Sequence, residues 1–315
     1  MPSLLSAEPI ESGSTAWLFA AAALVLMMTP GVVFFYGGMV RRKNVLGVVM
    51  QGFVAMAVVS VLWVAVGFSL AFAGTGRFIG DLRYAGLPAH LDNPLTPGVP
   101  LLAFAFFQMM FAVVTPVLIT GAGVERWRFG AFAVFVGIWS LAVYAPVAHW
   151  VFDPRGWAAQ WGVLDFAGGT VVHINAGAAA LAVAIVLGRR RGWPEQADRP
   201  HNLPMVMIGL ALLWFGWLGF NGGSAYAAGE LAAVALINTQ VGAAGGVLGW
   251  ITAERLRYGK PTTLGAASGA VSGLVAITPA AGYVSPVSGI GIGLLAGVLC
   301  HLAVGLKRWF NVDDS

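Results

Sequence analysis

The sequence is poor in charged residues and almost free of cysteine. Charged side chains make up 10% of its 315 residues, against roughly 25% in soluble proteins, which is too few to coat a water-facing surface. The single cysteine, Cys300, excludes a disulfide framework and a cysteine-based metal cluster. The chain also has no phosphate-binding loop, no dinucleotide fingerprint and no zinc-ligand spacing. We therefore expect neither an enzyme nor a cofactor or metal site.

Apolar length is what the sequence has in abundance. Hydrophobic residues make up 58% of the chain, and its 43 glycines suit helices that pack closely in a membrane. A bilayer core about 30 Å thick needs roughly 20 apolar residues as helix. We predict nine spanning helices over 16–36, 45–73, 98–121, 129–150, 166–188, 203–221, 231–253, 262–281 and 284–306. The connections between them are too short for a separate soluble domain, so 1–315 is expected to be a single membrane domain.

Lysine and arginine are concentrated on alternate connections. All but three of the 17 follow spans one, three, five, seven or nine. The other three are Arg77, Arg83 and Arg155. Because cytoplasmic connections carry an excess of basic residues, the pattern predicts an outside N-terminus and a cytoplasmic C-terminus in the plasma membrane. It also accounts for the net charge of +4 without nucleic-acid binding. The polar first fifteen residues predict no signal peptide.

Two ionisable residues belong to the predicted fifth span or border it. His173 is expected near the middle of the membrane, where an ionisable side chain is costly and marks either a pathway or a buried structural partner. Burial disfavours the charged imidazolium, so we expect a neutral ring with one donor and one acceptor. Asp165 precedes the helix and either caps its free N–H groups or raises cation affinity without touching the solute. Position alone leaves these alternatives open.

Aromatic and hydroxyl residues of two other spans have two interpretations each. Phe107 and Phe111 are four residues apart and share one helix face, which fits either packing or a cation-attracting pore lining. Ser224 follows the run Asn221-Gly222-Gly223 and is either a turn serine or an acceptor for a donor-rich cation. His149 and His301 are expected to be interfacial or structural.

Five strings carry a resemblance to a known family. They are PGVVFFYGGMVRRKNVL (30–46), AFFQMMFAVVTP (105–116), DFAGGTVVHINAG (165–177), PHNLPMVMIGLALLWFGWLGFNGGSA (200–225) and LGAASGAVSGLVAITPAAGYV (264–284). With these strings the chain resembles the Amt/Mep/Rh ammonium transporters, most closely the bacterial Amt branch, along essentially its whole length. The resemblance implies an all-α polytopic membrane bundle built as an inverted repeat. Here 16–188 would be the first five-helix repeat and 203–306 an incomplete second one.

The resemblance also implies roles for individual residues. Pore residues would be His173, Phe111, Phe220 and Trp217. Ammonium recruitment at the outer side would use Ser224, Phe107 and Phe152, with Asp165 acting indirectly. The implied mechanism is recruitment of ammonium, its deprotonation near the phenyl pair Phe111 and Phe220, and passage of ammonia past His173. The family further implies a homotrimer and a cytoplasmic regulator of the PII type.

Two departures from the family pattern bear on these expectations. Phe152 stands where a tryptophan is usual, and Trp150 would replace it if the register shifted by two residues. Family members have eleven spans, and the tenth carries a second pore histidine that this chain lacks. A truncated sequence, helices supplied by another chain, and a non-conducting variant are the three explanations, of which we expect truncation. An Amt-like ammonium sensor or a truncated non-conducting homologue is the alternative to a transporter.

Overall fold

The computed structural model describes residues 9–88, 93, 95–190, 192–193, 200–310 and 312–313. Within these ranges nine helices are long and apolar enough to cross a membrane, and no strand occurs. They are α1 (Ser12–Met39), α2 (Arg42–Phe72), α3 (Leu101–Gly123), α4 (Phe129–Gln160), α5 (Gly169–Leu187), α6 (Leu203–Gly223), α7 (Glu230–Tyr258), α8 (Thr263–Ala280) and α9 (Pro286–Val304). The predicted all-α membrane bundle and its nine spans are therefore confirmed. α7 continues to Tyr258, beyond its predicted end at 253, whereas the continuous part of α4 ends at Phe152 and is followed by the separate short helix Trp157–Gln160.

The middle of the bundle is occupied by α3. Nearly every residue of this helix is buried, whereas α5 and α9 bury only a small part of their surface. α1 packs along the length of α6 and also contacts α3. Side chains on the outer helices are exposed yet apolar, as expected for surfaces that face lipid.

Glycines allow α7, α8 and α9 to pack backbone against backbone. A Cβ added at Gly246 of α7 would overlap the carbonyl oxygen of Gly269 on α8, and one added at Gly297 of α9 would overlap that of Gly246. Small residues at such crossings are the usual means of close helix packing in membranes, where apolar burial alone provides no driving force. The high glycine content of the sequence is thus concentrated at helix contacts.

A buried ion pair fastens the end of the chain to the end of α5. The Arg190 guanidinium lies 2.5 Å from the Asp313 carboxylate, and both side chains are almost fully buried. Arg126 donates to the backbone oxygen of Asp313 at 2.9 Å. Burial raises the pKa of the Asp313 carboxyl, but the hydrogen bonds from Arg190 outweigh it and hold that pKa below its usual range. The carboxylate is therefore charged at neutral pH.

Candidate functional site

Five rings from three helices form a continuous column inside the bundle. Phe107 and Phe111 of α3 meet edge to face at 4.9 Å between ring centroids. Phe111 and Phe220 of α6 are stacked at 4.1 Å with their planes 25° apart. His173 lies 5.7 Å from Phe220 and 5.1 Å from Trp217, nearly parallel to both rings. The predicted pore residues are therefore brought together, with the phenyl pair on one side of the imidazole.

His173 lies in the first turns of α5 and not deep within a regular helix. The helix begins at Gly169, three residues later than predicted, and Gly169–Ile174 is wound as a π-helix. Such π turns are rare and frequently occur at functional sites. The Nε2 atom of His173 is buried and has no hydrogen-bond partner among the described residues. The alternative in which this nitrogen bonds a neighbouring helix thus has no support in the structure.

Asp165 holds the start of α5 through backbone hydrogen bonds. Its Oδ1 accepts from the N–H groups of Gly168 and Gly169 at 2.8 and 2.6 Å. Its Oδ2 accepts from Thr170 and Val171 at 2.8 and 3.2 Å. Gly168 has a φ of +105°, a conformation that glycine adopts without strain. The carboxylate therefore has the capping geometry that was one of its two expected roles.

The end of α6 presents a hydroxyl beside the aromatic column. Ser224 follows Gly223 and donates its hydroxyl hydrogen to the backbone oxygen of Phe220 at 2.8 Å. Because that hydrogen is engaged, the lone pairs of the Ser224 oxygen remain free to accept. Gly223 lies so close to the ring of Phe107 that an added Cβ would come within 2.6 Å of it. Glycine thus lets Phe107 pack directly against this end of α6.

Phe152, and not Trp150, faces the column. The Phe152 ring lies 6.5 Å from Phe111 at 83°. Trp150 instead donates its indole N–H to the carbonyl oxygen of Phe78 at 2.6 Å and packs on Trp157. The structure therefore gives no support to a shifted register, and a phenyl ring occupies the position where the resemblance predicts an indole.

Two further residues that the sequence reasoning did not identify contact the column, and a third residue bonds one of these two. The Trp217 indole N–H donates to the hydroxyl of Thr278 at 2.8 Å, which orients the indole beside His173. The side-chain amide of Gln108 donates to the hydroxyl of Tyr226 at 2.8 Å, and the Tyr226 ring contacts Phe107. Gln108 could have been noticed as a polar residue inside an apolar span. Thr278 and Tyr226 lie near helix ends and carry no comparable signal.

The two remaining histidines of the spans lie outside the column. His149 is fully buried, with its ring nitrogens 2.9 Å from the carbonyl oxygen of Ala71 and 2.7 Å from that of Gly76. His301 packs edge to face on Trp250. His149 thus lies among backbone carbonyl groups and His301 against an aromatic ring, and neither contacts a ring of the column.

Comparisons with known proteins extend over nearly the whole chain. The sequence model described as the Ammonium Transporter Family matches residues 16–315. An ammonium transporter from Mycobacterium tuberculosis is 50% identical over an alignment 331 residues long, which covers 97% of this chain and 69% of the relative. The crystal structure of Candida albicans Mep2 gives a TM-score of 0.92 at 38% identity, covering 97% of this chain and 69% of that one. A solved structure described as a Sensor Amt Protein gives 0.88 at 31% identity, covering 96% and 77%.

Proposed function

The chain belongs to the Ammonium Transporter Family, and we propose that it transports ammonium by binding the ion at the outer aromatic site and passing ammonia along the ring column. The observation that carries this mechanism is the stacked pair of Phe111 and Phe220, with the ring centroid of His173 5.7 Å from that of Phe220. The sensor alternative is not favoured, because the relatives at 44–50% identity are named ammonium transporters, whereas the sensor structure is 31% identical.

Recruitment would take place beside Ser224, Phe107 and Phe152. An ammonium ion offers four N–H donors and no acceptor, so a site for it needs acceptors and electron-rich ring faces. The Ser224 oxygen has free lone pairs because its hydrogen is donated to a backbone oxygen. The phenyl rings of Phe107 and Phe152 both contact Phe111. Asp165 would act indirectly, since its oxygens are engaged by the backbone of α5.

Deprotonation would occur at the phenyl pair. Rings stacked with their centroids 4.1 Å apart leave no space for a hydrated ion between them. Moving a bare charge through a dry region of the membrane is costly, and neutral ammonia avoids that cost. The rings must move for ammonia to pass, while the proton is released to water on the outer side and crosses by a separate route. Transport then carries net positive charge.

Beyond the pair, His173 would provide the polar surface along which ammonia moves. Its Nε2 is without a partner among the described residues, so it can donate to or accept from ammonia according to its tautomer. Trp217 stacks on the imidazole and is itself held by Thr278. Because Trp217 is held in this way, it gives one face of the imidazole a fixed support.

Currents on solid-supported membranes test this mechanism. We expect an ammonium-induced current for the unchanged protein, and its loss in His173→Ala with folding intact. His201→Ala is the matched control, because His201 lies in a connection and bonds the carbonyl oxygen of Val40. A current that persists in His173→Ala would eliminate the imidazole as part of the conducting route.

Topology and assembly are further parts of the proposal. We propose an outside N-terminus and a cytoplasmic C-terminus, from the distribution of basic residues. From the family we propose a homotrimer with one pore per subunit, a PII-type cytoplasmic regulator and an inverted repeat of 16–188 and 203–306. We propose a plasma-membrane transporter and no enzymatic reaction. The mass of the solubilised complex tests the trimer, and labelling of single cysteines introduced in connections tests the topology.

A further inference from the structure

A buried ion pair comes directly after Phe152, where the continuous part of α4 ends. The backbone leaves the helix at Asp153, which is extended with φ −81° and ψ 127°. The Asp153 side chain has no exposed surface. Its carboxylate accepts from Arg155 Nε at 2.7 Å and from Arg155 Nη2 at 2.5 Å. A buried carboxylate needs such charge-assisted partners, because an unpaired charge away from water is strongly destabilising.

The same carboxylate folds the backbone that follows into a tight turn. Its Oδ1 accepts the backbone N–H of Arg155 at 2.8 Å, and the Asp153 carbonyl oxygen accepts that of Gly156 at 2.9 Å. Pro154 fixes one backbone dihedral angle between them. A Cβ added at Gly156 would overlap the carbonyl oxygen of His149, so glycine lets the turn fold back on the helix. The turn after Phe152 is therefore held by backbone and side-chain bonds together.

Arg155 connects this turn to the end of α2. Its guanidinium donates to the backbone oxygen of Phe72 at 2.9 Å and to that of Gly74. Carbonyl groups at a helix C-terminus have no partner within the helix, so the cation satisfies acceptors that need a donor. The Phe72 ring is buried and packs edge to face on Phe104 of α3, with 5.1 Å between ring centroids. Arg155 thereby ties the end of α4 to a part of the core that packs on α3.

Phe152 lies between this turn and the ring column. Its ring centroid is 6.5 Å from that of Phe111 on α3, and its Cζ atom would be 3.5 Å from a Cβ added at Gly168. Its side chain is only partly buried. Because Phe152 is the last residue of its helix, the backbone that leaves the helix determines where the ring stands. The position of Phe152 relative to Phe111 therefore depends on the bridge that Arg155 makes.

We propose that Asp153 and Arg155 are positioning residues of the ammonium recruitment site, because their bridge to α2 holds the Phe152 ring against the column. This inference rests on the proposed function, in which Phe152 offers a ring face to the ion. The Asp153 carboxylate is buried and Arg155 is itself a cation, so both act through Phe152 and not by contact with ammonium. Their charges neutralise each other, so the arginine does not repel the ion.

The ammonium concentration that gives half-maximal current tests this role. Arg155→Gln should raise it about two- to five-fold, the range expected for loss of one exposed cation–π contact, with the maximal current per folded protein unchanged. Arg155→Lys should also raise it, because lysine keeps the charge but lacks the planar fork that reaches several acceptors at once. Arg83→Gln is the matched control, since exposed Arg83 pairs with Asp81 at 3.7 Å on a neighbouring connection, and it should leave the concentration unchanged.

An electrostatic role of Arg155 gives results of the opposite kind. Removal of a positive charge near a cation site would lower the half-maximal concentration in Arg155→Gln, and Arg155→Lys would leave it unchanged. A loss of folded protein alone would lower the maximal current without moving the half-maximal concentration. The sign of the change therefore distinguishes positioning from both.

Two double variants complete the test. Phe152→Leu combined with Arg155→Gln should give the half-maximal concentration of Phe152→Leu alone, because a ring that is absent cannot be displaced. Asp153→Asn combined with Arg155→Gln removes both charges and leaves no unpaired charge buried, so it serves where Arg155→Gln alone does not fold. It should raise the concentration as well, since the amide cannot replace the guanidinium bridge to α2. Gel filtration in detergent reports the folding of each variant.

Three results would overturn this inference alone, provided that Phe152→Leu raises the half-maximal concentration. The first is an unchanged or lowered concentration in the folded variants that carry Arg155→Gln. The second is an unchanged concentration in Arg155→Lys. The third is an increase in Phe152→Leu with Arg155→Gln that equals the product of the two separate increases. If the unchanged protein gives no current, or Phe152→Leu leaves the concentration unchanged, the proposed function itself fails and this inference fails with it.

Discussion

Replacing Asp165 by asparagine distinguishes an indirect role of this carboxylate from direct binding of ammonium. The two oxygens accept four backbone N–H groups at the start of α5, at 2.6–3.2 Å. Asparagine keeps one acceptor oxygen and turns an NH2 group towards two of those donors. Each buried donor that loses its partner costs about 1–3 kcal/mol, so Asp165→Asn should destabilise the protein by about 2–6 kcal/mol.

The assay compares thermal unfolding with transport in the same preparation. We expect Asp165→Asn to lower the unfolding midpoint, and to weaken the ammonium current because His173 sits on the helix that Asp165 caps. Asp81→Asn is the control, since Asp81 is exposed and caps the backbone of Arg83 at 2.9 Å. An unchanged unfolding midpoint together with a lost current would refute the reasoning, because the carboxylate would then act on the ion itself.

Three other substitutions test separate parts of the structure. Phe152→Trp should lower the ammonium concentration that gives half-maximal current by about two- to five-fold, because an indole attracts a cation more strongly than a phenyl ring does; Phe152→Leu should raise it. Gly246→Leu should prevent accumulation of folded protein, measured by gel filtration in detergent, because its side chain would overlap a carbonyl oxygen of α8; Gly291→Leu should fold normally. Hydrogen bonds from Arg190 hold the pKa of the buried Asp313 carboxyl low. The carboxylate therefore contributes stability above its unfolded pKa of about 3.9, and this stability is lost as pH falls through the lower folded pKa. When unfolding midpoints are measured from neutral to acid pH, Asp313→Asn should be less stable at neutral pH and should lose that part of the acid dependence.

The helices could be predicted because apolar length is a local property of a membrane sequence. A run such as 203–221 must be helical in a bilayer, where every backbone polar group needs an internal partner. Details that depend on neighbouring elements could not be predicted in this way. α5 begins at Gly169 and not at the predicted 166 because the Asp165 side chain and a left-handed Gly168 determine its first turn.

The column depended on the resemblance for its assignment. Helical periodicity relates Phe107 to Phe111, but only a tertiary arrangement brings Phe220 to within 4.1 Å of Phe111. The family strings supplied that pairing. Thr278 was missed because its bond to Trp217 joins residues 61 positions apart, and no local pattern encodes such a contact.

In the proposed mechanism, the arrangement of polar atoms along the column would account for the separation of ammonium from its proton. On the side proposed to face outwards, Ser224 has acceptor lone pairs and several rings offer π faces. Between Phe111 and Phe220 the neighbouring surface is aromatic, so an ion that enters there loses its hydrogen-bond acceptors and contacts only rings. Ammonium then costs more free energy to place there than neutral ammonia does. His173 lies next to this pair, and its Nε2 has no hydrogen-bond partner among the described residues. A neutral imidazole can form a hydrogen bond with ammonia, but it cannot balance the full charge of ammonium. We infer that selection against the intact ion comes from the order of these surfaces, because recruitment needs the positive charge and the passage beyond the rings disfavours it.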